Sequence, residues 1–149
     1  MLAEEIKQKK FVNSHQKMAI NILYTSGWLK RKVQATLKPF GITHAQYNVL
    51  RILNGKCPNP CNPSEITEVM IEKMSDVTRL LDRLKSKGLV DRCICEHNRR
   101  KVDVYITEQG KQLLREIDPV MEKGRKQYQS LSPEEAELLS DLLDKLRAG

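Results

Sequence analysis

The fold is decided by residues 75–106, which read SDVTRLLDRLKSKGLVDRCICEHNRRKVDVYI and change their hydrophobic period part-way along. In the first part, Val77, Leu81 and Leu84 recur at the spacing of an α-helix, and Ser75 is the predicted N-cap. In the second part, apolar and polar residues alternate in two short runs, which is the period of a β-strand. Five polar residues separate the runs, so this stretch predicts a capped helix followed by a hairpin with a basic tip.

Two further helices precede this stretch. Thr43 and Gln46 form a capping box at the start of one of them. Asn62, Pro63 and Glu65 suit the N-cap, first and third positions of a short helix, which we expect to end near residue 71. The chain therefore carries helix, short helix, capped helix and hairpin in about sixty residues, which is the order of a winged helix-turn-helix lobe.

Longer helices flank the lobe. Helical spacing of apolar residues predicts one helix over about residues 14–38, ended by Pro39. Thr107 caps a helix that we expect to bend near Pro119, and Ser132 caps a final helix. The final helix carries a seam made of Leu138, Leu139, Leu142, Leu143 and Leu146. We predict a mainly α fold with a small β-hairpin wing, arranged as one domain over residues 1–149.

Composition indicates a folded protein with a polyanionic partner. The 149 residues are 40% hydrophobic and 30% charged, which excludes a disordered chain. Residues 73–101 hold nine Lys or Arg against four Asp or Glu, a local net charge of +5 within a total of +7. The N-terminal residues lack the apolar core of a secretory signal, and no apolar stretch approaches the ~20 residues that span a membrane. We therefore expect a cytoplasmic protein without a membrane partner.

The helix over residues 75–87 is the predicted reader of a DNA major groove, which admits one helix. Arg79 suits a bidentate contact to guanine, and we expect Asp82, three residues later, to orient it. Positively charged side chains further along suit phosphates, which position a helix without reading sequence. The predicted DNA-binding residues of this helix are Ser75, Asp76, Thr78, Arg79, Arg83 and Lys85.

Several short motifs together resemble the multiple-antibiotic-resistance regulator (MarR) family of bacterial transcription regulators. They cover the chain from about residue 15 to its end. The motifs are Gly41-Ile42-Thr43, QYNVL at 46–50, SDVTRLLDRL at 75–84, KGLV at 87–90, NRR at 98–100 and ITEQG at 106–110.

The resemblance implies a homodimer that binds double-stranded DNA, more often a repressor than an activator. It implies a DNA-binding lobe over residues 42–107 and dimerisation helices over 1–38 and 108–149. It also implies that the hairpin wing inserts an arginine into the minor groove, and Arg99 and Arg100 match those positions. Asn98 stands where the family usually has an aspartate that braces an arginine, so which arginine inserts stays open.

The resemblance further implies a small-molecule effector that releases the DNA. The family's pocket lies between the dimer helices and the DNA-binding lobe, near Tyr24, Trp28 and Tyr47. These aromatic residues suit either that pocket or the hydrophobic core.

The four cysteines support an alternative, a thiol-based redox or metal-sensing regulator. Cys57, Cys61, Cys93 and Cys95 provide four thiols, but their spacing fits no standard zinc ribbon or finger. Cys93 and Cys95 share one face of a strand with Cα atoms near 7 Å apart, too far for an unstrained disulfide. Incidental thiols, redox sensing and metal binding remain open, and we favour the small-molecule effector.

An enzyme is not expected. The chain has no glycine-rich phosphate loop, no Gly-x-Ser-x-Gly and no His-Glu-x-x-His. Its three histidines are His15, His44 and His97, which lie far apart among polar neighbours. We therefore predict neither a catalytic residue nor a cofactor.

Overall fold

A computed structural model describes residues 1–8, 10–73, 75–95 and 98–149, with the side chains of residues 94, 95, 98–101 and 127 outside the description. Within these ranges the chain forms helices and one antiparallel hairpin. The elements are α1 (Leu2–Glu5), α2 (Ser14–Leu37), α3 (His44–Lys56), α4 (Pro63–Val69), α5 (Val77–Ser86), β1 (Val90–Cys95), β2 (Asn98–Ile106), α6 (Glu108–Arg125) and α7 (Pro133–Ala148). The predicted mainly helical fold with a hairpin wing is confirmed.

Side-chain caps start most of the helices where the sequence predicts them. The Thr43 hydroxyl accepts from the backbone N–H of Gln46 at 3.2 Å, and the Gln46 side chain accepts from the Thr43 N–H in return. Asn62 and Ser132 form the same reciprocal box with a glutamate three residues later. Thr107 caps α6, and Pro119 lies inside that helix. Each cap satisfies N–H groups that a helix start leaves without partners.

Three local predictions need correction. Asp76, not Ser75, is the N-cap of α5, because the helix starts at Val77 and the Asp76 carboxylate accepts from the Arg79 N–H at 3.1 Å. The short helix α4 ends at Val69, because the Ile71 N–H donates to the Asn48 side chain at 3.0 Å instead of a helix carbonyl. β2 begins at residue 98, so residues 98–100 belong to the strand and not to the hairpin tip.

One hydrophobic core holds the lobe together. The α3 residues Leu50 and Leu53 pack with Leu84 of α5, Val104 of β2 and Ile117 of α6, and each is at most 2% exposed. Burying a leucine or isoleucine side chain contributes about 1.5–3 kcal/mol, so this cluster fixes α5 and the hairpin on the same scaffold. By contrast, α2 buries only its last residue and α7 buries none.

The hairpin is joined to the helical part on its β2 side. β1 and β2 pair antiparallel, with Arg92 opposite Val104 and Cys93 opposite Asp103. On the other side of β2, Cys61 forms a bridge to Val104 with backbone hydrogen bonds of 3.1 and 2.9 Å. Because Cys61 directly precedes the N-cap of α4, this bridge places the hairpin beside the start of that helix. Among the described residues, no helix is long and apolar enough to cross a bilayer.

Candidate nucleic-acid interface

Helix α5 has one buried face and one charged face. Val77, Leu81 and Leu84 are buried in the core. Thr78, Arg79, Arg83 and Lys85 are exposed. The helix is therefore held by its apolar face, and it offers hydroxyl and guanidinium donors to a molecule outside the protein. Such donors at the exposed start of a helix fit base edges and phosphates.

Asp76 orders the start of this face. Its carboxylate caps α5 and also lies 3.5 Å from the Nε atom of Arg79. The Arg79 side chain is 79% exposed, so this contact leaves the guanidinium open to solvent. Ser75 is partly buried and donates its backbone N–H to the Glu72 carbonyl at 3.2 Å.

Asp82 does not orient Arg79 as the sequence suggested. Its Oδ1 atom accepts from the Nη1 atom of Arg92 at 2.7 Å, because strand β1 lies beside α5 and brings Arg92 within reach. Arg92 is not among the residues predicted for this face, because its partner is ten positions away across a turn. The only sequence signal is an arginine in the first wing strand, one position before Cys93.

The other basic residues of this region have different surroundings. Lys85 lies 3.9 Å from Asp91, and the Lys87 ammonium donates to the carbonyl of Gly41. Arg99 and Arg100 belong to β2, and their side chains lie outside the described residues.

The three aromatic residues assigned to a ligand pocket have three different partners. The Tyr24 hydroxyl bonds to Glu5, and this hydrogen bond raises the Tyr24 pKa. Trp28 packs edge-on against Tyr128 with ring centroids 6.0 Å apart. Tyr47 is buried and donates to Asp118 at 3.3 Å. Burial, followed by the negative charge of Asp118, raises the pKa of Tyr47.

Beside Tyr47, a groove of about 530 Å³ opens between α3 and α6. In it Arg51 makes two hydrogen bonds to Asp118, at 3.0 and 3.2 Å. The groove thus presents guanidinium and carboxylate groups beside a buried aromatic ring. Its lining residues are Arg51, Arg115, Asp118, Pro119, Glu122 and Arg125.

The described cysteines do not form one site. Cys57 is exposed and Cys93 is exposed, whereas Cys61 is 1% exposed. Cys61 and Cys93 lie on opposite sides of β2, and two strand spacings of about 4.8 Å exceed the usual Cα separation of a disulfide. The side chain of Cys95 lies outside the described residues.

The surroundings of the thiols differ in charge. Burial, followed by the charge of Glu65, raises the pKa of the Cys61 thiol. The Lys111 ammonium bonds to Glu108 and to the Cys57 thiol, and these contacts raise the Lys111 pKa. Among the side chains that the structure describes, no three His, Cys, Asp or Glu residues are grouped to hold a metal ion.

Comparison with known proteins gives one consistent result. Residues 42–102 match the family model described as the MarR family. The chain is similar to a mutant of MarR from E. coli complexed with operator DNA, with 26% identity, a TM-score of 0.79, and coverage of 93% of this chain and 99% of that one.

Two further solved structures share the fold. The chain is 23% identical to the S. aureus MepR–DNA complex, with a TM-score of 0.79 over 93% of this chain and 98% of that one. It is 22% identical to BpsR from Bordetella bronchiseptica, with a TM-score of 0.81 and coverage of 94% of this chain and 99% of that one. The BpsR structure is described as a mechanism for regulation of DNA binding by 6-hydroxynicotinic acid. The match to the MarR family of transcription regulators covers α3, α4, α5, β1 and the first part of β2, which are the elements that build and flank the charged face.

Proposed function

We propose that the chain is a homodimeric repressor that binds specific double-stranded DNA and leaves it when a small molecule binds. The observation that carries this proposal is the geometry of α5, whose apolar face is buried and whose start is capped by Asp76 beneath an exposed Arg79. We propose the cytoplasm as its compartment.

The proposed contacts divide by role. Arg79 reads a base edge in the major groove, with Ser75, Asp76 and Thr78 at the same end of the helix. Arg83 and Lys85 contact phosphates, and Arg99 or Arg100 enters the minor groove from the wing. The local charge of +5 over residues 73–101 supports a polyanionic partner. The E. coli and S. aureus relatives, both solved with DNA, support this partner.

The proposed domain organisation has a DNA-binding lobe over residues 42–107 and dimerisation helices over 1–38 and 108–149. Leu138, Leu142 and Leu146 of α7 are 59%, 54% and 49% exposed in a single chain. On α2, Leu23 is 74% exposed. Exposed leucines on two flanking helices support an interface between copies of the chain.

Release by a small molecule follows from linkage. A dimer reads two half-sites about one helical turn apart, so a ligand that prefers a different spacing of the two lobes lowers DNA affinity. The groove beside Tyr47 joins the lobe helix α3 to the flanking helix α6, which is a suitable place for such a ligand. The Bordetella relative, whose DNA binding is described as regulated by a small aromatic acid, supports this mode.

We favour this mode over thiol or metal sensing. Cys61 is buried, and β2 separates it from Cys93. Four thiols acting together therefore require the sheet to open. A variant in which all four cysteines are changed to serine tests whether the thiols release the DNA. If this variant binds DNA without responding to peroxide, and the wild type does respond, the thiols are the switch.

The proposed function is tested by selecting DNA from a random library with the full-length protein and footprinting the selected site. We expect a site with two related half-sites about 10 base pairs apart and a stoichiometry of one dimer. Addition of small aromatic acids at constant salt should weaken binding to this site. Recovery of random sequences, or binding of one monomer, contradicts the proposal.

A further inference from the structure

The side chain of Arg92 connects the wing to helix α5. Its Nη1 atom donates to Asp82 at 2.7 Å and its Nη2 atom donates to the Thr78 carbonyl at 3.3 Å. Thr78 and Asp82 are four residues apart and thus stand one turn apart on the same side of α5. The planar guanidinium therefore holds α5 at two points, one side-chain carboxylate and one backbone carbonyl, through two nitrogens in fixed geometry.

Arg92 of β1 lies opposite the β2 residue that is bridged to the helical part of the protein. In the antiparallel register Arg92 is opposite Val104, and Val104 is bridged to Cys61. One row of residues thus attaches β2 to the start of α4 and β1 to α5. A two-stranded hairpin alone is marginally stable in water, so these two attachments act with the buried core residues of the strands to orient the wing.

The ion pair contributes little to stability. The Asp82 side chain is 60% exposed, and exposed pairs contribute about 0–1 kcal/mol. Among the described side chains, the buried Nε atom of Arg92 has no hydrogen-bond partner, which offsets part of that contribution. The contacts of Arg92 therefore add little to the free energy of unfolding. They do fix the position of β1 relative to α5, because the guanidinium contacts the helix at two points.

We propose that Arg92 is a positioning residue for DNA binding, whose guanidinium holds the wing at a fixed orientation relative to α5 through Asp82 and the Thr78 carbonyl. This inference rests on the proposed function. Residues 99 and 100 lie within the register irregularity between Ile94 and Cys95, which is two to three strand steps, or roughly 7–10 Å, from the level of Arg92. A tilt of about 10° at that level moves a point ~10 Å away by ~1.7 Å, which exceeds the tolerance of a hydrogen bond.

Two variants test the proposal, because positioning and charge predict opposite results for one of them. Asp82→Ala removes a negative charge beside DNA, so electrostatics alone predicts tighter binding. Positioning predicts binding about tenfold weaker, since Arg92 loses its partner. Arg92→Lys keeps the charge and loses the two-point contact, and we expect a similar loss. Arg147→Lys is the matched control, because Arg147 is an ion-paired surface arginine at the end of α7, outside the groove and the DNA-binding face.

The measurements are the dissociation constant for the selected operator between 50 and 200 mM salt and the hydrogen exchange of hairpin amides in the free protein. We expect the salt slope of both variants to fall by roughly one phosphate contact and their β1–β2 amides to exchange faster. Thermal midpoints should stay near that of the wild type. If the wild type selects no operator, the proposed function fails and this role in DNA binding fails with it.

Wild-type affinity and slope in Arg92→Lys, or tighter binding by Asp82→Ala, would overturn the inference while the proposed function stands. The same holds if hairpin amides exchange at the wild-type rate in Asp82→Ala. Since Asp82 is mostly exposed, this variant should fold even where a change at Arg92 does not.

Discussion

At the scale of single residues, position within the fold separates side chains that the sequence presents as equals. Arg79 and Arg92 are both arginines of one basic segment. Arg79 is 79% exposed with a loose contact to Asp76, and Arg92 is 22% exposed with two contacts to α5. The first is free to meet an external partner, and the second is committed within the protein. Local net charge alone does not make this distinction.

Arg79→Ala should weaken operator binding by about 1–3 kcal/mol and relax base preference at one position of each half-site, because a bidentate base contact is lost. The measurement is a competition assay with single-base operator variants at fixed salt. Arg83→Ala serves as the comparison, since a phosphate contact affects all sequences nearly equally. Equal losses on operator and random DNA for Arg79→Ala would make it a phosphate contact as well.

Cys61 should be protected from thiol reagents while Cys57 and Cys93 react. Single-cysteine variants that retain one of these three residues allow the rates to be compared at pH 8. Burial favours the neutral thiol and raises the pKa of Cys61, so the folded state holds its proton to higher pH than the unfolded state. The stability from this shift is fully present below the pKa of an unfolded thiol and is lost as pH rises through the folded value.

The effect of the Cys61 thiol on stability is measured as the pH dependence of the free energy of unfolding. Denaturant unfolding of the wild type should show a steeper decline in the free energy of unfolding above about pH 9 than unfolding of Cys61→Ala does. Cys93→Ala should keep the wild-type dependence, because Cys93 is exposed. Rapid labelling of Cys61 in the native protein would show that the bridge to β2 opens readily.

At the scale of elements, the packing of α6 on the hairpin depends on one glycine. A Cβ atom on Gly110 would lie 2.3 Å from the backbone carbonyl oxygen of Leu89. Thr107, the cap of α6, also donates its hydroxyl to the Gly88 carbonyl at 2.7 Å. The start of α6 and the end of the α5–β1 turn are therefore in direct backbone contact, which joins the flanking helix to the lobe.

Gly110→Ala should lower the free energy of unfolding by about 1–3 kcal/mol, because the added methyl group meets backbone that has no room to move. Gly55→Ala is the matched control, since Gly55 also lies in a helix and its Cβ would meet no atom within 4 Å. This control should raise stability by about 0.5–1 kcal/mol through helix propensity. Urea unfolding measures both, and equal effects would argue against close packing at Gly110.

At the scale of the whole molecule, the single chain has a complete core in its lobe and unpartnered leucines on its flanks. The buried cluster draws on α3, α4, α5, both strands and α6, while no residue of α7 is buried. A helix that presents Leu138, Leu139 and Leu142 to water exposes apolar area that association would remove. The stability of the flanking helices should thus depend on protein concentration.

Leu138→Lys combined with Leu142→Lys should give a monomeric or unfolded protein, because two buried charges cannot be accommodated in an apolar interface. Glu137→Lys combined with Ser140→Lys introduces two lysines on the opposite, polar side of α7 and should remain dimeric. Sedimentation equilibrium measures the assembly state, and the thermal midpoint should rise with concentration in the wild type and in the control. A folded monomeric wild type that binds its operator would remove the dimer from the proposal.

The amino-acid sequence by itself determined the helices and their caps, because the interactions that specify them join residues at most four apart. It also determined the hairpin, because two short runs of alternating residues flank one short polar segment. Thr43 with Gln46 and Asn62 with Glu65 are found where the pattern places them. Even the errors at Ser75 and at the end of α4 are shifts of one or two residues.

Only the tertiary structure decided which side chains meet across elements. Tyr47 and Asp118 are 71 positions apart, and Arg92 meets Asp82 only because a turn folds β1 against α5. Cys61 is buried through its bridge to Val104, which no spacing in the sequence reveals. Hydrophobic periodicity states which face of an element is buried but not which neighbour covers it, since apolar burial is non-directional. The partners of charged residues are therefore set by the packing of the core.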